Sequence, residues 1–267
     1  MKQLEKYKLD GKIAVVTGAS GLLGREFCAG LIEAGAEVAV LDIDFDAAQI
    51  LAKELGAKAT AFKCDVSNEI DVNNCVDSII YQYGKIDILH NNAATKTANL
   101  KDFFMPFEEY SLSTWREVMS VNLDGMFLMA KAVGKHMIKQ GFGNIVQTSS
   151  IYGLAGPDNR IYEGSNYLGG PINTPAVYSA SKAGVIGLTK WLSTYWADKG
   201  IRVNCLVPGG VSTGQNSDFT ELYSSRTPMS RMSEAHEIVP ALLYLVSDAS
   251  SYVTGQVISV DGGWGAW

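Results

Sequence analysis

Short apolar runs rich in Val and Ile alternate along the chain with longer stretches whose apolar positions recur at helical spacing. Lys12–Thr17 (KIAVVT) predicts a buried strand, followed by a helix at Leu22–Ala34. Further strands are expected at Ala36–Asp42, Lys58–Cys64, Ile86–His90, Gly143–Thr148, Ile201–Val207 and Gln256–Val260. The helices between them are expected at Asp46–Leu55, Ile70–Tyr83, Thr114–Lys139, Ala176–Lys199 and Ser233–Val246. This alternation implies βαβ units, a parallel sheet and right-handed crossovers, hence an α/β fold with a doubly wound sheet covered on both faces. Thr95–Ser113, Ile151–Pro175 and Gly214–Met232 break the rhythm. Each follows a strand at the sheet edge where open α/β sheets bind ligands, so these loops are candidate substrate loops.

With 267 residues and 47% hydrophobic content, the chain can bury one sizeable core, and residues 1–267 are read as a single domain. The formal charge of −6, without a run of Lys or Arg, offers no general attraction for nucleic acid or anionic membranes. Cys28, Cys64, Cys75 and Cys205 are scattered, with no C-x-x-C or Cys/His cluster, so no metal site is expected and reduced, buried thiols are. The first residues mix charged side chains and lack the apolar core of a signal peptide, and no stretch approaches a membrane span. A cytoplasmic enzyme is the expectation.

The first strand ends in Thr17-Gly18-Ala19-Ser20-Gly21-Leu22-Leu23-Gly24. A glycine-rich turn between strand and helix lets backbone amides approach a pyrophosphate, and the helix dipole adds to the attraction. Glycine triplets also occur in ordinary tight turns, and placement after the first strand is what gives this one weight. Asp42 closes the second strand roughly 20 residues further on, where a carboxylate can bind the adenosine ribose hydroxyls of NAD and repel the extra phosphate of NADP. It could instead cap the following helix. Asp65-Val66 ends the third strand, where Asp65 could flank the adenine or cap the helix near Asn68.

Tyr178 and Lys182 stand four residues apart at the start of a long helix and therefore share one face. A lysine cation about 5 Å from the phenol, at an effective dielectric of ~20, is worth roughly 3 kcal/mol, which would lower the tyrosine pKa by a little over 2 units. That would suit Tyr178 to proton transfer. The strand Gly143–Thr148 runs into Ser149-Ser150 at the same sheet edge, where a hydroxyl can bond a substrate oxygen as charge develops. Asn122, inside the helix expected at Thr114–Lys139, is either a satisfied core amide or part of a buried polar network.

Together these residues resemble the short-chain dehydrogenase/reductase family, in its compact single-domain branch with a Rossmann fold. The resemblance spans essentially the whole chain. Besides the motifs above it includes Asn91-Asn92-Ala93-Ala94, Val121-Asn122-Leu123, Arg202-Val203-Asn204, Pro208-Gly209-Gly210-Val211-Ser212-Thr213, Thr254-Gly255-Gln256 and Asp261-Gly262-Gly263. It implies a general acid/base role for Tyr178, and a Lys182 that lowers the tyrosine pKa and holds the nicotinamide ribose. It implies a carbonyl-orienting role for Ser150 rather than Ser149, and a water-linked proton relay anchored on Asn122. For the dinucleotide it implies Gly18, Ser20, Gly21, Leu22, Leu23, Gly24, Asp42, Ile43, Asp65, Val66, Asn92, Ala93, Ala94, Pro208, Gly209, Val211 and Thr213. The family's middle glycine would fall at Leu22, whereas here Gly21 precedes it, a spacing similar to that of the extended branch. The separation of Ser150 from Tyr178 is about twice the usual one, so the extra residues must form a loop at the mouth of the site.

That loop, Gly156–Tyr167, is rich in hydrogen-bonding groups, which favours a polyhydroxylated or charged substrate over a steroid or acyl chain. Arg160 could pair with a substrate carboxylate or phosphate, or lie in a solvated loop at a subunit contact. The loop is also faintly similar to dehydrogenases of bacterial surface-sugar pathways. The expected activity is NAD-dependent hydride transfer to or from a secondary alcohol of a sugar-like molecule or polyol. An NAD-retaining epimerase or dehydratase and a non-catalytic dinucleotide-binding protein are the alternatives. Crowded apolar residues on the two long helices, with the family resemblance, suggest a homotetramer in which Trp264–Trp267 could join a further contact.

Overall fold

In the computed structural model, which describes residues 2–167 and 170–267, the main strands are β1 (Ile13–Thr17), β2 (Glu37–Asp42), β3 (Ala59–Lys63), β4 (Ile88–Asn91) and β5 (Gly143–Thr148). The two-residue strands β6 (Asn166–Tyr167) and β7 (Gly170–Pro171) form a small hairpin, and β8 (Ile201–Pro208) and β9 (Val257–Val260) return to the main sheet. That sheet is seven-stranded, in the order β3-β2-β1-β4-β5-β8-β9, with every pairing parallel. The order reverses between β1 and β4, the topological switch point of a doubly wound Rossmann sheet. Val15, Leu89, Ile145 and Val203 stand in register across β1, β4, β5 and β8, all without exposed surface. Strands covered on both faces carry continuous apolar runs rather than alternation, which is why KIAVVT is legible as a strand.

The helices are α1 (Leu22–Glu33), α2 (Phe45–Leu55), α3 (Glu69–Tyr83), α4 (Leu100–Phe103), α5 (Leu112–Met119), α6 (Gly125–Gln140), α7 (Ala176–Tyr195), α8 (Ser217–Arg226) and α9 (Val239–Val246). Phe27 and Leu31 of α1, Leu51 of α2 and Leu242 of α9 pack one face of the sheet. Val76 of α3, Met129 and Met137 of α6, and Leu192 of α7 pack the other. Asn144 and Arg202 use their side chains to tie the far end of the sheet to the carbonyls of Leu245, Ser247 and Val253, so the Arg202-Val203-Asn204 motif is structural. Cys28, Cys64, Cys75 and Cys205 are free and buried.

The helix expected at Thr114–Lys139 is divided. A π-helical turn, Ser120–Asp124, separates α5 from α6 and widens the backbone at Asn122. The segment expected as one helix at Ser233–Val246 opens instead with a 3-10 turn, Ala235–Ile238, before α9, whose first turn accommodates Pro240. The three irregular segments hold short elements of their own: α4 in the first, two 3-10 turns and the β6–β7 hairpin in the second, α8 in the third. Of the glycines in the 151–175 segment, Gly169 lies outside the described residues. Among the described residues no helix is long and apolar enough to cross a membrane.

Candidate active site

The glycine turn is built by close approach. Gly18 has φ +60°, and a Cβ there would lie 2.8 Å from the Ala93 backbone. At Gly24 a Cβ would lie 2.3 Å from the Gly18 carbonyl oxygen, so only glycine lets α1 sit this close to the turn. Gly21 needs no positive φ and serves as the N-cap, with Leu22 the first helical residue. The shifted middle glycine therefore leaves the strand–turn–helix geometry intact. Thr17 Oγ1 accepts from the amides of Asn92 and Ala93, at 2.9 and 3.0 Å, and the Asn92 side-chain amide donates to the carbonyls of Thr17 and Gly18. These bonds lock the turn against the end of β4.

Asp42 does not cap α2, because Asp44 does, accepting from Ala47. The Asp42 carboxylate instead accepts from the Ser20 amide at 3.0 Å and the Asp44 amide at 3.1 Å, which places it beside the glycine turn. Asp65 is not the cap of α3 either. Asn68 is, while Asp65 accepts from the amide and hydroxyl of Ser67. Ile43 is largely exposed next to Asp42, and Val66 is buried beneath α6, where Gly125 packs on it.

A nicotinamide dinucleotide fits these residues. The N-terminus of α1 has no side-chain cap and no acidic residue in its first turn, so its amides are available to an anion. The Ser20 hydroxyl and the Asn122 amide nitrogen are both buried and have no partner among the described residues. Buried polar atoms of this kind are the positions a bound ligand satisfies.

The chemistry-bearing side chains converge at the C-terminal ends of β4, β5 and β8. Ser149 spends its hydroxyl on the Lys182 carbonyl, at 2.7 Å. The Ser150 hydroxyl accepts a long contact from the Tyr152 amide, at 3.3 Å, and opens on the cavity. Tyr178 is half-buried on the same cavity, and Lys182, one helical turn on, is 2% exposed. The Lys182 ammonium donates to the Thr148 carbonyl at 3.0 Å and sits 5.8 Å from the Tyr178 ring centre.

The ionisation differs from the simple Coulomb expectation. Burial raises the Tyr178 pKa above that of a free phenol, with the Ser150 hydroxyl pulling the other way. Burial also lowers the Lys182 pKa to about 8. Both charged forms lose hydration here, and that loss sets the direction of both shifts. Asn122 accepts from the Thr95 amide at 2.8 Å from its place on the π turn, tying the first irregular segment to the helix pair.

Pro208–Thr213 descends from β8 as a braced ribbon. Gly209 passes 2.7 Å, counted from an added Cβ, from the Asp261 backbone, and the Gly210 amide donates to the Tyr223 hydroxyl. The Ser212 amide bonds the Ser233 carbonyl, and the Thr213 amide bonds the Gln215 side chain. A cavity of about 590 Å³ lies between this ribbon, Tyr178 and the irregular segments. Ser150, Tyr178, Gly209, Val211 and Thr213 line it together.

Arg160 is not brought to the cavity. Its side chain is 81% exposed and pairs bidentately with Asp158, at 2.7 and 2.8 Å. The loop sends Tyr152, Tyr162, Asn173 and Thr174 inward instead. Lys96 is the one charged side chain among the described lining residues. The sequence signals for these were faint: Tyr152 follows Ser150 by two residues, and the Gly209-Gly210 pair hints that a bulky group, here the Tyr223 ring, presses close. Within the Trp264–Trp267 segment, Trp264 is buried against Tyr152 and Tyr223, while Trp267 is largely exposed.

The all-parallel sheet, the glycine turn at its switch point and the Ser150–Tyr178–Lys182 cluster at its C-terminal edge define a dinucleotide-dependent oxidoreductase. The chain belongs to the short-chain dehydrogenase/reductase family: residues 18–265 match the family model described as enoyl-(acyl carrier protein) reductase. Over 97% of its length it is 32% identical to D-threitol dehydrogenase of Mycolicibacterium smegmatis, of which 94% is covered. The crystal structure of a gluconate 5-dehydrogenase from Burkholderia cenocepacia, in complex with NADP and tartrate, superposes with a TM-score of 0.88 at 32% identity, covering 99% of each chain. A short-chain dehydrogenase from Leptospira borgpetersenii with bound NAD+ superposes with a TM-score of 0.84 at 33% identity, covering 99% of this chain and 96% of that one. These relatives are named for a polyol, a sugar acid and the family itself, not for surface-sugar pathways.

Proposed function

We propose that the protein is an NAD-dependent dehydrogenase that interconverts a secondary alcohol and a ketone on a small polyhydroxylated molecule. The observation that carries this reading is the joint exposure of Ser150 and Tyr178 on one cavity, backed by buried Lys182, beside the ribbon Pro208–Thr213. The relatives named for threitol and gluconate support the substrate class. When bound, the dinucleotide supplies the hydride acceptor or donor. Gly18–Gly24 would hold its pyrophosphate with backbone amides, and Asn92–Ala94, Asp65 and Val66 would border the adenosine. Val211 and Thr213 would border the nicotinamide end.

Tyr178 acts as the proton-transfer group and Ser150 donates a hydrogen bond to the substrate oxygen. Burial holds the phenol protonated at neutral pH, which suits proton donation to a carbonyl oxygen, so oxidation of the alcohol speeds up as pH rises. Lys182, with a pKa near 8, still carries its charge at pH 7 and can donate to a ribose hydroxyl as well as to Thr148. Asn122, whose amide nitrogen has no partner among the described residues, anchors the path by which the proton leaves.

Asp42 supports NAD over NADP. A carboxylate fixed beside the turn can accept from ribose hydroxyls and repels a phosphate, and no Lys or Arg stands at positions 43 or 44 to offset it. Phe127, Trp191 and Tyr195 are 47%, 57% and 59% exposed on α6 and α7, an apolar surface that supports a homotetramer. The test is initial-rate measurement with NAD and NADP against a panel of polyols and sugar acids at high pH. Tyr178→Phe should abolish turnover while dinucleotide affinity is retained. Preference for NADP would overturn the Asp42 reading, and near-normal Tyr178→Phe activity would overturn the mechanism. Turnover without net NADH would favour an NAD-retaining isomerase, and NAD binding without any turnover a dinucleotide-binding protein.

A further inference from the structure

We infer that Tyr152, Tyr162 and Thr174 form a hydroxyl chain that recognises a second hydroxyl on the substrate, next to the reacting carbon. The inference rests on the dehydrogenase reading above and sharpens its substrate class from polyhydroxylated molecules in general to those whose reacting carbon has an adjacent hydroxyl, vicinal diols. All three residues belong to the inserted 151–175 segment and line the cavity that Ser150 and Tyr178 share.

The chain has a direction. The Tyr162 hydroxyl donates to the Tyr152 hydroxyl at 3.3 Å, and Tyr162 also shares a short hydrogen bond with Thr174 Oγ1. A phenol has one proton, so Tyr162 accepts from Thr174 when it donates to Tyr152. Tyr152 then keeps its own O–H free to donate. The Tyr152 amide meets the Ser150 hydroxyl, so this donor belongs to the residue that braces the group facing the reacting oxygen. Hydrogen bonds arranged head to tail polarise one another, which strengthens the terminal donor.

The rings are held from outside the segment. Tyr162 stacks on Phe219 of α8, with centroids 5.5 Å apart, and Tyr152 meets Trp264 edge-on at 5.7 Å. Burial raises the pKa of both phenols, so they remain neutral donors at the alkaline pH that favours alcohol oxidation. The same cavity wall also includes the apolar side chains of Phe103, Phe104 and Ile172, set among polar ones such as Asn173 and Lys96. A substrate hydroxyl beside the reacting carbon satisfies the Tyr152 donor, whereas a simple secondary alcohol leaves it unpaired. Sites built to bond a substrate hydroxyl discriminate strongly against analogues that lack it.

The experiment compares meso-2,3-butanediol with 2-butanol, which share a four-carbon skeleton, on wild type, Tyr152→Phe and Thr174→Val. Tyr152→Phe keeps the ring that packs on Trp264, and Thr174→Val keeps the side-chain shape. The wild-type kcat/KM ratio of diol to mono-alcohol is expected to be on the order of 10 to 100 and to fall by roughly tenfold in Tyr152→Phe, through KM more than kcat. Thr174→Val should lower the same ratio by a smaller factor. An unchanged ratio in Tyr152→Phe overturns the inference. Calorimetric binding of the diol to NADH-saturated protein supplies a readout without turnover. If wild type oxidises neither alcohol with NAD or NADP, the dehydrogenase reading fails for these probes. Roughly tenfold weaker diol binding by Tyr152→Phe then still supports the hydroxyl chain, and equal or undetectable binding in both proteins overturns it.

Discussion

His90 makes the fold acid-sensitive in a way that can be calculated and measured. It lies in the middle of β4 with no exposed surface, its Nε2 is 2.8 Å from the Thr148 hydroxyl, and its ring is 4.4 Å from Phe27. Nδ1 has no partner among the described residues. Burial lowers its pKa from 6.5 to about 3, so the folded state holds the imidazole neutral where the unfolded chain would protonate it. A depressed folded pKa gives stability that is fully present above the unfolded value of 6.5 and is lost as pH falls toward 3. Each pH unit in that window is worth ~1.4 kcal/mol, so moving from pH 6.5 to pH 5.0 should cost about 2 kcal/mol. Urea unfolding at pH 7.5 and pH 5.0, on wild type and His90→Leu, isolates this contribution because the other titrating groups are common to both. Whatever its absolute stability, the leucine variant should lose about 2 kcal/mol less than wild type over that interval. The same bond orients Thr148, whose carbonyl holds Lys182, so activity should fail with the fold rather than before it. Identical pH-dependent losses in the two proteins would refute the reasoning.

Gly24→Ala should weaken dinucleotide binding at least tenfold and lower stability by about 1–3 kcal/mol, because the new methyl meets backbone carbonyls of Gly18 and Ala19 that cannot give way. Fluorescence titration with NADH and thermal unfolding check this, and wild-type affinity would show that α1 can shift freely. Asp42→Ser should weaken NAD and narrow the gap to NADP in initial rates; an unaltered NAD/NADP ratio would remove Asp42 from the ribose site. Arg160→Ala should leave KM for the preferred substrate within about twofold, since the guanidinium is exposed and paired with Asp158. A tenfold rise in KM would return Arg160 to the binding site.

The sequence by itself determined the parts of this protein whose physics is local. Continuous apolar runs such as KIAVVT become strands buried on both faces, and helical spacing marks α1 and α3 within a residue, while the helix expected at Ala176–Lys199 ends at Tyr195 and gives way to a 3-10 turn, Ala197–Lys199. Glycines at 18 and 24 and the four-residue step from Tyr178 to Lys182 are set along a single strand–turn–helix or a single helix face, so their placement could be expected from order alone. What the tertiary structure decided depends on partners far away in the chain. Whether Arg160 or Tyr162 turns inward follows from Asp158 on one side and Phe219 on the other, and helical or strand periodicity does not extend into such a loop. The π turn at Asn122 is one extra residue's worth of widening within a helical pattern that continues on either side, so periodicity conceals it. The ionisation of Tyr178 and Lys182 turned on burial, a property of the whole packed molecule that spacing alone does not reveal. His90 reads in sequence as one residue of an apolar strand, and only the approach of β5 gives it Thr148 as a partner and removes it from water, because parallel strands meet through long crossovers rather than through neighbouring residues.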